Sequence, residues 1–132
     1  MIIALDYGEK RTGVAISDDG EQIAFRHKAL KLRHKQEMLG LIVSLLKKLK
    51  PKEVIVGEPL GLDDKETQMS KKIRTVGEKI ALISNLPVKY WNEIMSSNIA
   101  KQQKVTKDID RESARIILQE YLDYKNGEAK VI

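Results

Sequence analysis

Met1 to Leu5 is apolar at every position and too short for a helix, so it reads as a strand buried on both faces. Such a strand needs partners on each side and helices above and below, which places the chain among α/β sheet proteins. The run stops at Asp6, which opens the segment Asp6-Tyr-Gly-Glu-Lys-Arg-Thr-Gly-Val-Ala-Ile-Ser-Asp18. Gly8 permits a tight turn, and Thr12 to Ser17 alternates as a second strand. A carboxylate is left at the mouth of a hairpin, where it is placed to hold a metal or polarise a phosphate. An isolated Asp-x-Gly serves a turn just as readily, so other acids have to decide.

The remaining elements follow from periodicity. Residues 22–32 have strand character after the turn at Asp18-Asp-Gly20. Met38, Leu41, Ile42, Leu45, Leu46 and Leu49 repeat at helical spacing within 35–50, and Pro51 stops that helix. Residues 53–57 read as a buried strand, 65–84 as a second helix, 87–91 as a fifth strand, 96–104 as a short helix and 110–124 as a last one. Three strands in a meander followed by helix, strand, helix, strand, helix predict one domain over 1–132. Its core is a five-stranded mixed sheet of order 3-2-1-4-5 with helices on both faces.

Composition limits the chemistry. A chain of 132 residues, 42% hydrophobic, suits one domain with a real core. No stretch approaches the roughly 20 apolar residues of a membrane span, and the N-terminus lacks the pattern of a signal peptide, so a cytoplasmic protein with no membrane partner is expected. With no cysteine and two histidines, any metal should be hard and held by oxygen. Lys and Arg outnumber Asp and Glu by 24 to 19, clustered at 26–35, 47–52, 71–74 and 101–107. Clustered cations suit a polyanion, although a chain with 33% charged residues also shows such runs as solvated surface.

In the predicted sheet the carboxyl ends of strands one, four and five share a rim, where open α/β sheets usually bind ligands. Strand one ends in Asp6, strand four in Gly57-Glu58-Pro59 and strand five in Trp91-Asn92-Glu93. Asp110 opens the last helix in phase with Ala114, Ile117, Leu118 and Tyr121, which turns it toward the sheet. Carboxylates crowded in this way repel, and divalent cations relieve the repulsion. A pair of such ions serves in-line phosphodiester displacement. Asp6, Glu93 and Asp110, with Glu58 as an extra candidate, are the expected catalytic and metal-holding acids for Mg²⁺ or Mn²⁺, two ions in all. Lys10 and Arg11 beside them suit gripping a substrate phosphate.

These segments, together with Ile55-Val-Gly-Glu-Pro-Leu60, Asn92-Glu-Ile-Met-Ser-Ser97 and Asp110-Arg-Glu-Ser-Ala-Arg-Ile-Ile-Leu-Gln119, resemble the successive motifs of the YqgF/RuvX family, also called Holliday-junction-resolvase-like. The resemblance spans nearly the whole chain. It implies an RNase H-like fold and a nuclease processing the 5′ end of precursor 16S ribosomal RNA in ribosome biogenesis, with the small ribosomal subunit as a partner. Branched-DNA resolution is the alternative substrate reading. The family's strand-one Asp falls on Asp6, its motif Arg on Arg11, the Glu of its Asp-Glu-Arg triplet on Glu93 and the Asp of its last helix on Asp110.

Two departures stand out: the triplet's Asp is Asn92 and its Arg is Ile94. A catalytically weakened RNA- or ribosome-binding module would keep the basic surface while tolerating both changes. Actin-like ATPases carry a similar first motif, but they need two such domains and a second phosphate loop, for which this chain has no room. Monomer and homodimer both stay open.

Overall fold

The computed structural model describes residues 1–33, 35–59, 67–92 and 109–127, with side chains in the last stretch from Ser113 onward. Its elements are β1 (Ile2–Asp6), β2 (Arg11–Ser17), β3 (Ala24–Lys31), α1 (Met38–Leu49), β4 (Glu53–Glu58), α2 (Gln68–Ser84), β5 (Val88–Asn92) and α3 (Ile109–Lys125). The sheet order is β3-β2-β1-β4-β5. β2 is antiparallel to both β1 and β3, while β4 runs parallel to β1 and β5 parallel to β4. The expected mixed sheet is therefore present, with β1 at its centre. The expected helix at 96–104 lies outside the described residues.

Because side chains alternate along a strand, the buried runs of β1 and β4 feed two separate cores. Ile3, Leu5, Val54 and Val56 pack with Ile42 and Leu46 of α1 and Ile73 and Ile80 of α2. Ile2, Ala4, Ala15 and Ile55 pack on the other side with Ala114, Ile117 and Leu118 of α3. Among the described residues α1 and α2 thus cover one face, and α3 covers the other.

Element starts differ from the periodic pattern where local polar bonds win. α1 begins at Met38 rather than 35, since Lys35 is left-handed (φ 58°) and the Gln36 side-chain oxygen accepts from the Arg33 amide at 3.0 Å. β3 begins at Ala24 rather than 22, because the Asp18 carboxylate accepts from the amides of Gln22 (2.8 Å) and Ile23 (3.0 Å). Those two donors also hold the Asp18 carboxyl below its ordinary range. α2 begins with a reciprocal cap in which the Ser70 amide donates to the Thr67 hydroxyl and the Thr67 amide to the Ser70 hydroxyl. Thr67 also donates to the Pro59 carbonyl at 3.0 Å, tying α2 to the end of β4.

The rim opposite Asp6 is clamped electrostatically. Glu21, in the β2–β3 turn, pairs with Lys125 of α3 at 2.7 Å and with Lys52, just before β4, at 2.5 Å. Lys125 first and Lys52 second hold its carboxyl at about 2, against an ordinary 4.5. A lowered carboxylate stabilises the fold above its unfolded value, and that contribution disappears as pH falls from 4.5 toward 2. Glu21→Gln should therefore cost roughly 1 kcal/mol at pH 7, after solvent screening, and almost nothing near the bottom of that window. Urea unfolding of both proteins across the acid range measures this; a difference that does not vary with pH refutes it.

Candidate active-site rim

β1 and β2 are joined by a turn that leaves little freedom. Thr12 is fully buried and its hydroxyl straps the turn, donating to the Gly8 carbonyl at 3.1 Å and accepting from the Gly8 amide at 3.3 Å. A Cβ on Gly8 would overlap the Arg11 carbonyl oxygen, which is backbone and cannot swing aside. This turn holds the end of β1 against the start of β2, and so fixes Asp6 relative to Arg11.

Strand register then sets what surrounds Asp6. Its antiparallel partner is Gly13. On the parallel side Leu5 is level with Val56, so one step further Asp6 is level with Gly57. The half-buried Asp6 is therefore flanked by glycine on both neighbouring strands, with no Cβ to fill the space beside it. Alternation puts Asp6 on the face of Ile2 and Ala4, under α3, and puts Arg11 on that same face in line with Gly13 and Ala15.

α3 points its N-terminal end toward this rim. Its C-terminal half is fixed at the opposite one, where the Tyr121 hydroxyl donates to Glu53 at 2.8 Å and the Gln119 amide oxygen accepts from Ala24 at 2.9 Å. Counting back from Tyr121 to Ile109 at 1.5 Å per residue gives about 18 Å of helix. β1 is only about 13 Å from Ile2 to Asp6. The first turn of α3, which contains Asp110, is long enough to reach the level of Asp6. The Asp110 side chain and the whole of Glu93 lie outside the described residues, so of the three expected acids Asp6 alone is placed in full. Among the described residues no cluster of three His, Asp or Glu is arranged to hold a metal ion.

Glu58 does not join Asp6. It alternates with Val54 and Val56, on the α1–α2 face, where its buried carboxylate takes both arms of Arg74 at 2.8 and 2.7 Å. A carboxylate with both oxygens engaged across the sheet from Asp6 is not available as its co-ligand, so the expected extra metal ligand is a structural ion-pair member instead. The Arg74 guanidinium also lies 3.9 Å from the centre of the Tyr90 ring, which fits against α2 because Gly77 has no side chain there. Asn92 is level with Glu58 and belongs to the same face. The position at which a carboxylate was expected from the resemblance is therefore on the far side of the sheet from Asp6.

The expected phosphate-gripping pair is placed at this rim. Lys10 is exposed and Arg11 is half-buried at the start of β2. The Arg11 Cα is level with Lys31 of β3, and the Leu32 amide donates to the Lys10 carbonyl at 2.9 Å, extending the contact past the strand. A groove of about 420 Å³ opens near Tyr7, Met38, Leu39 and Val76, on the face away from Asp6. Burial there raises the Tyr7 hydroxyl above its usual value.

Comparison with known proteins agrees with the topology. A relative from Dictyoglomus turgidum is 31% identical, with 98% of this chain and 99% of that protein aligned. One from Halothermothrix orenii is 34% identical over 95% and 96%. Both carry the name "Putative pre-16S rRNA nuclease". Among solved structures, Thermus thermophilus RuvC in complex with a Holliday junction substrate superposes with a TM-score of 0.65 at 14% identity, covering 96% of each chain. The fowlpox virus Holliday junction resolvase does so with a TM-score of 0.56 at 14% identity, covering 93% of this chain and 98% of the other. The fold is RNase H-like. The profile described as "RuvX: Holliday junction resolvase" matches residues 1–124, and the chain belongs to the RuvX family.

Proposed function

We propose that this chain is a metal-dependent nuclease that hydrolyses phosphodiester bonds, and that its substrate is precursor 16S rRNA, cut at the 5′ side. The observation that carries the reading is Asp6. It is a half-buried carboxylate at the carboxyl end of the central strand, with glycine on both neighbouring strands and Arg11 on the same face. An acidic oxygen donor between two glycines, with no neighbouring Cβ to crowd it, fits a hard divalent cation and a phosphate oxygen. Asp6, Glu93 and Asp110 would hold Mg²⁺ or Mn²⁺, which supplies an activated water and charge neutralisation at the scissile phosphate. Arg11 orients that phosphate, and Lys10 holds the adjoining backbone. Asn92, on the opposite face, leaves this set of acids intact.

The test is cleavage of a precursor 16S rRNA fragment carrying its 5′ extension by highly purified protein. Cleavage with Mn²⁺ or Mg²⁺, abolished by EDTA, is the expected result. Faster cutting of a four-way DNA junction than of the rRNA fragment would reassign the substrate to branched DNA. No cleavage of either, with binding retained, would make this a binding module.

A further inference from the structure

β3 is an edge strand, and its exposed backbone edge would ordinarily invite pairing with another chain. Residues 24–35, which contain β3 and the chain leading toward α1, include Arg26, Lys28, Lys31, Arg33 and Lys35 and no Asp or Glu. Lys28, Lys31 and Arg33 are exposed, and among the described residues no carboxylate pairs with them. Several cations elsewhere are neutralised, Lys52 and Lys125 by Glu21, Lys72 by Glu9, Arg74 by Glu58 and Lys89 by Glu53; what sets the β3 strip apart is its row of cations along one sheet edge with no acid among them. The strip is also continuous with the Asp6 rim, since Lys31 is level with Arg11 and Leu32 is bonded to Lys10.

We infer that the β3 edge, through Lys28, Lys31 and Arg33, is the track on which one strand of a double-helical RNA lies, leading its phosphates to Asp6. This rests on the proposed nuclease reading for its direction, but its charge chemistry stands apart from catalysis. From Lys28 to Arg33 the strip spans about 16 Å at strand rise, room for about five phosphates of one strand. A duplex is favoured over a single strand because no aromatic side chain interleaves Lys28, Lys31 and Arg33 to stack on bases. A row of cations also discourages two edges from pairing, a role that requires no nucleic acid and that the following experiment separates.

Binding of a fluorescent RNA duplex is measured by anisotropy in EDTA, across a salt series, with the Asp6→Asn protein as parent so that no cleavage intervenes. Two charge-matched variants are compared: Lys28→Gln with Lys31→Gln on the strip, and Lys47→Gln with Lys48→Gln near the end of α1. The strip pair should weaken affinity about tenfold at low salt and lower the salt slope by about 2, one per lysine, while the α1 pair changes both far less. Equal effects from the two pairs, or an unchanged slope in the strip pair, would overturn the track. Tighter and equally strip-dependent binding of a DNA duplex of the same length would overturn its assignment to RNA. Strip-dependent binding by a protein that never cleaves would refute the nuclease reading and keep the track; cleavage with strip-independent binding would do the reverse.

Discussion

Asp6→Asn is expected to lose at least about 10³-fold in cleavage rate while binding nucleic acid as the wild type does. The substitution preserves shape and removes one negative charge, so what it tests is charge alone. A carboxylate that holds a cation beside the reacting phosphate acts where charge develops, and losing such stabilisation costs hundredfold to thousandfold even for a single donor. Binding should persist, because its energy comes from cations spread over the surface and not from the acid itself. The two outcomes have to be measured together, with metal concentration matched and folding checked by circular dichroism. Equal cleavage by the two proteins would remove Asp6 from the chemistry and the proposed site with it.

Arg74→Ala is expected to have the largest effect on stability, about 3 kcal/mol. Glu58 is 3% exposed and both of its oxygens are bonded to that one guanidinium. Removing one partner of a buried pair leaves an uncompensated charge, which costs more than the pair itself contributes. The stacking of Arg74 on Tyr90 would be lost as well, adding a few tenths to about 1 kcal/mol. The paired change Glu58→Leu with Arg74→Met should recover most of the loss, since apolar groups of similar volume replace a buried pair at little cost. Urea denaturation of the two proteins settles the point: a loss below about 0.5 kcal/mol for Arg74→Ala would mean that water reaches Glu58. The paired variant should also keep its cleavage and metal requirement, because Glu58 is on the face away from Asp6.

That misplacement of Glu58 shows where sequence reading stops. The short apolar runs at 1–5 and 53–57, the helical stripe before Pro51 and the order of elements carry the whole sheet topology, because burial on one or two faces leaves a periodicity that survives in composition. A strand buried on both faces is apolar at every position, however, so alternation in β1 and β4 gives no sign of which face each residue meets. Whether Asp6 and Glu58 look the same way depends on pairing register, Leu5 level with Val56, which is a tertiary fact. Arg74, sixteen residues from Glu58, is equally unmarked as its partner. Helix starts at Met38 and Gln68 are set by side-chain bonds in the preceding turns, which hydrophobic spacing does not register.

The split between the two cores also has a meaning for synthesis. Among the described residues the face formed by Ile2, Ala4, Ala15 and Ile55 is covered by α3, the last of their helices. A nascent polypeptide leaving the ribosome exposes that apolar surface until residues beyond Leu122 have emerged, long after Asp6 and Arg11 have been made. A polypeptide stopped before α3 would leave that apolar face uncovered and prone to aggregate.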